Sequence, residues 1–156
     1  MLNRNPEPPR APELNPALKN LDILVGEWEL EGMWPHNPPT TLHGHASFQW
    51  IEGGAFMLYQ TQIDRPEFPS TTAIIGPDDV AGICSMLYFD SRGVSRIYEM
   101  NLEDGVWKLW RNWPGFSQRF IGRFDEDQNI ITSRWEKSTN GLEWEHDFDL
   151  VYKRVK

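Results

Sequence analysis

Polar and apolar positions alternate over most of this chain, most cleanly at its two ends. Glu27-Trp28-Glu29-Leu30-Glu31 sets three acids on one parity and Trp28 and Leu30 on the other. Across 142–152, Leu142, Trp144, His146, Phe148, Leu150 and Tyr152 share one parity, and Glu143, Glu145, Asp147 and Asp149 the other. Side chains alternate faces along a strand, so each stretch predicts a strand with a wet acidic face and an apolar inner face. His146 is then the one strongly polar group on the inner face of its strand.

The chain between them reads as strand and turn. Strands are predicted at 42–51, 55–63, 70–75, 83–89, 94–101, 106–112, 118–124 and 130–136. The turn signals between them include Glu52-Gly53-Gly54, Asp90-Ser91-Arg92-Gly93, Asp104-Gly105 and Pro114-Gly115. Asn140-Gly141 suits a tight type I′ hairpin before the last strand. A proline-rich connection, 35–39, follows the first strand. Ahead of it, Asn15 is a good helix N-cap, Pro16 fits the first turn and Gly26 ends a short apolar helix.

About ten short strands linked by hairpins leave two open edges unless the sheet closes, and one helix cannot cover so wide a sheet. The prediction is an all-β domain over 16–156, an up-and-down antiparallel barrel with the N-terminal helix closing one end. Residues 1–15, rich in proline and asparagine, read as a flexible arm. It has two readings, a strap across a second copy in a homodimer or a free tail.

The parities also sort the interior. Leu42, Ala46, Phe48 and Trp50 face in, which puts His43 and His45 outside. Val94, Arg96, Tyr98 and Met100 form the more apolar parity of their strand, so Arg96 and Tyr98 face in. Arg119 and Arg123 fall outside, opposite Phe120 and Phe124. Strands 55–63, 83–89 and 106–112 have mixed faces and stay unphased. An inward arginine demands a partner, either an inward acid or backbone carbonyl, or the carboxylate or phosphate of a ligand with Tyr98 as a second donor.

Composition narrows the function. A net charge of −8 with no cluster of basic residues argues against nucleic acid. Residues 1–14 carry two arginines, four prolines and no apolar run, which predicts no signal peptide, no membrane span and a cytoplasmic protein. The lone Cys84 reads as a small core residue. His43 and His45 lack the later glutamate that a metal-binding barrel wants, and Asp78-Asp79 is too small a set for a cation site, so no metal is predicted. Eight tryptophans are many for a chain of this size, and they either fill a β core or line a ligand cavity, where aromatic walls are usual.

Gly26-Glu27-Trp28, a G-x-W just after a short helix, resembles the opening of the calycin group, the lipocalin and fatty-acid-binding-protein class. In lipocalins that tryptophan closes the base of the barrel. The continuation through Gly32 and Trp34-Pro35 is similar to nitrobindin-like proteins, which carry a haem-ligating histidine on the last strand, where His146 stands. The turn from Phe89 to Gly93 and the last strand look more like a bacterial lipocalin-like family of unassigned activity.

The leading expectation is a non-enzymatic binder of a small, largely apolar molecule with an anionic end. Arg96 and Tyr98 would meet the anion, Trp28, Trp50 and Trp144 would supply wall, and His146 a polar contact. Two alternatives stand beside it. One is haem held by His146, as the nitrobindin resemblance implies. The other is an isomerase or cyclase using His146 as acid–base and Arg96 to hold an oxyanion.

Overall fold

A computed structural model describes residues 16–78 and 83–155. The expected arm at 1–15, the cap Asn15 and the second acid of Asp78-Asp79 lie outside the described residues.

Ten strands run β1 (Gly26–Trp34), β2 (Thr40–Ile51), β3 (Phe56–Ile63), β4 (Thr71–Pro77), β5 (Cys84–Asp90), β6 (Ser95–Glu103), β7 (Val106–Arg111), β8 (Ser117–Phe124), β9 (Ile130–Ser138) and β10 (Glu145–Arg154). Each pairs antiparallel with its neighbour in sequence, and β1 pairs with β10 from Trp28 opposite Arg154 to Met33 opposite Asp149. The sheet is thus a closed barrel with no free edge.

Two turns show how the sequence sets the register. Asp104 and Gly105 both take positive φ, 51° and 72°, as a two-residue type I′ turn requires, and they join Glu103 directly to Val106. Asn140-Gly141 does not form the expected tight hairpin. Only Gly141 has positive φ, and the chain makes a longer loop over 139–144. The Asn140 side chain accepts from the amides of Leu142 and Glu143, both at 2.9 Å, so it organises the loop instead of entering the turn core.

The N-terminal element is a 3-10 helix, Pro16–Leu24. Leu18, Leu21 and Leu24 recur every third residue, the period of that helix, and all three are fully buried. They plug the end of the barrel where β1 begins and β10 finishes. Trp28 Nε1 donates to the Leu24 carbonyl at 2.8 Å. Arg154 lies over the Trp28 ring at 4.1 Å and donates to the carbonyls of Ile23, Val25 and Gln128, binding helix to barrel. Phe48, Met57, Ile75, Met100 and Ile131 fill the interior with this base, and Cys84 is buried as expected. No described helix is long and apolar enough to cross a membrane.

Candidate functional site

The opposite end of the barrel stays open. A cavity of about 470 Å³ runs inward from it, within the range usual for small-molecule sites. Trp34, Trp107, Trp135, Phe120, Phe148 and Leu109 supply much of its apolar wall. Trp135 stacks on Phe148 at 6.2 Å, and Trp107 meets Phe120 edge-on at 4.6 Å.

Arg96 and Tyr98 both line the cavity, two residues apart on β6. Tyr98 is buried and donates to Gln118 Oε1 at 2.7 Å. Burial raises its hydroxyl pKa, and the nearby Arg96 guanidinium opposes that rise. The Arg96 guanidinium lies 5.3 Å from the centre of the Phe116 ring. Among the described residues Arg96 forms no ion pair, whereas its basic neighbours at the mouth face carboxylates. Arg92 holds Asp90 at 2.7 Å, and Lys137 Nζ lies 3.8 Å from Asp147 Oδ1.

The other four candidates lie elsewhere. Trp28 closes the base, as the G-x-W resemblance implies, and forms no part of the cavity wall. Trp50 has the expected parity, but β2 carries it to the base rim, where its Nε1 donates to Asp22 Oδ1 at 3.1 Å. Trp144 precedes β10 and stacks under the Arg119 guanidinium at 4.1 Å, on the outer face where Arg119 also meets Glu136.

His146 is displaced for a single reason. The pairing of β10 with β9 slips between His146, opposite Glu136, and Phe148, opposite Trp135. A bulge puts two residues against one and reverses the parity beyond it. Asp147 therefore turns inward, buried at the mouth, and His146 does not line the cavity. His146 Nε2 lies 2.9 Å from Asp149 Oδ1, which also accepts from Arg134. No histidine lines the cavity among the described residues, so these residues do not fit haem held by His146. The acid–base reading loses its geometry as well, since His146 and Arg96 do not share the cavity.

Sequence parity missed Asp147, Trp34, Trp107 and Trp135. Asp147 faces Lys137 on one side and His36 on the other, with His36 Nε2 at 3.8 Å, too long for a hydrogen bond. At the inner end the Tyr59 and Tyr152 hydroxyls bond to each other at 2.8 Å. Burial holds both protonated, raising Tyr59 well above the usual phenol value and Tyr152 to about 12. Beside them the fully buried Trp107 has an Nε1 with no hydrogen-bond partner.

The closed ten-stranded barrel with one plugged end decides the architecture. The fold is a calycin-like barrel. No family model and no curated protein matches this sequence. Among solved structures it is similar to Rv2717c from M. tuberculosis, with a TM-score of 0.70, 16% identity, and coverage of 92% of this chain and 100% of that one. It is also similar to the S-type phycobiliprotein lyase CPES from Guillardia theta, with a TM-score of 0.55, 12% identity, and coverage of 86% and 90%. At such identities the likeness is one of fold.

Proposed function

We propose that this calycin-like barrel binds a small, largely apolar molecule whose anionic end meets Arg96. The observation that carries the reading is an arginine on an aromatic cavity wall that has no acidic partner among the described residues. A partly buried guanidinium gains from an anion that brings its own lone pairs, and a carboxylate fits its fork of donors. The Tyr98 hydroxyl is already committed to Gln118, so its part is to hold the polar side of the wall in place. The S-type phycobiliprotein lyase shares the fold, and among the described residues the lining of the present cavity holds no histidine.

The test is binding of lauric acid against lauryl alcohol, followed by quenching of intrinsic tryptophan fluorescence. Arg96→Ala weakens the acid by about 10- to 100-fold, the worth of a charged hydrogen bond, and the alcohol by less than about 3-fold. Equal losses for both ligands would sink the assignment to Arg96.

A further inference from the structure

The inner end of the cavity carries more hydrogen-bond donors than it can use. Trp107 lines the inner end of the cavity and is fully buried, and its Nε1–H has no partner. An unpaired buried donor is costly, so its retention calls for an acceptor that the chain does not provide. Tyr59 and Tyr152 add a second. Each hydroxyl carries one proton, and the bond between them uses one of the two. No other acceptor is bonded to either hydroxyl among the described residues. The three rings touch, with Trp107 edge-on to Tyr59 at 6.1 Å and to Tyr152 at 5.8 Å between ring centres. The carboxylates of the wall, Glu67 and Asp147, belong to the mouth.

We infer that this inner end is an acceptor subsite, in which Trp107 Nε1–H and the spare hydroxyl proton of the Tyr59–Tyr152 pair receive a carbonyl-class oxygen of the ligand. Ketone, ester and amide oxygens each have two lone pairs and can take both donors. A purely hydrocarbon tail would leave both donors bare. The ligand is thereby specified at two ends, with an anion outward and a neutral acceptor inward. The inference rests on the reading that the cavity takes a small molecule, but not on the anion at Arg96. A single trapped water could satisfy the same donors, and the test separates the two.

The probes are benzophenone and diphenylmethane, which differ in the carbonyl oxygen and carry no charge. Binding is measured to the full chain, to Trp107→Phe, and to the double variant Tyr59→Phe/Tyr152→Phe. Comparing the ratio of the two affinities between proteins cancels the different water solubilities of the probes. The expected result is that the preference for benzophenone falls about 5-fold or more in each variant, while diphenylmethane changes little. In the ¹H–¹⁵N spectrum, the indole resonance lost in Trp107→Phe moves on adding benzophenone and stays put with diphenylmethane. A preference unchanged in both variants, or an unmoved indole resonance, overturns the subsite and favours a trapped water. Failure of both probes overturns it too. If lauric acid still binds in that case, the cavity reading survives, and if it does not, both fall.

Discussion

Asp90 shows how one residue couples the mouth to pH. Burial pushes its carboxyl up, but the Arg92 guanidinium, the Tyr88 hydroxyl and the Arg92 amide outweigh that and hold it at about 2. A carboxyl lowered on folding contributes stability that is complete above its unfolded value near 3.8 and is lost as pH falls toward 2. The contribution is on the order of 1–2 kcal/mol, since Arg92 is half exposed and partly screened by solvent. Chemical denaturation of Asp90→Asn between neutral pH and pH ~2 should show a flatter loss of stability than the parent. Gly44 is a residue whose smallness is structural. A Cβ there would fall on the Gln62 carbonyl oxygen of the adjoining strand, which cannot move without breaking the sheet. Gly44→Ala should lose at least about 2 kcal/mol in a urea melt, with the fold otherwise retained.

At the level of elements, the sequence was most readable where alternation ran unbroken. Trp28 and Leu30 on β1, Phe48 on β2 and Tyr98 on β6 all face in as their parities predict. Arg96 reached the cavity by the same rule. The rule failed on β10 because a bulge carries no residue signature of its own, so the strand with the clearest alternation gave the wrong face for His146. Trp107 was lost for a different reason. Its strand alternates Val106, Lys108 and Trp110 against Trp107, Leu109 and Arg111, and tryptophans on both parities blur the inner face. Depth along the axis was not legible either, so Trp28 and Trp50 had the right face and the wrong end. Deleting Asp147 should remove the bulge, leave His146 outside opposite Glu136 and Phe148 inside opposite Trp135, and take the inward acid from the mouth. Diethyl pyrocarbonate labelling read at the His146 peptide should then persist, with circular dichroism still that of a barrel, and a fall would place His146 inside instead.

At the scale of the molecule, closure depends on β10. Its far end supplies Tyr152 to the core and Arg154 to the clamp over Trp28, the helix carbonyls and Gln128. A chain stopped after Val151 should therefore lose cooperative thermal unfolding and expand on gel filtration, because the seam with β1 and the plug go together. The seam joins residues at opposite ends of the described chain, Trp28 with Arg154, so it is the most non-local pairing in the fold. During synthesis β1 emerges early and must wait for a partner made more than a hundred residues later. Until then the sheet has two live edges and no enclosed space. On the proposed function, a ligand therefore has no cavity to enter while the chain is being made, and it selects barrels that have already shut.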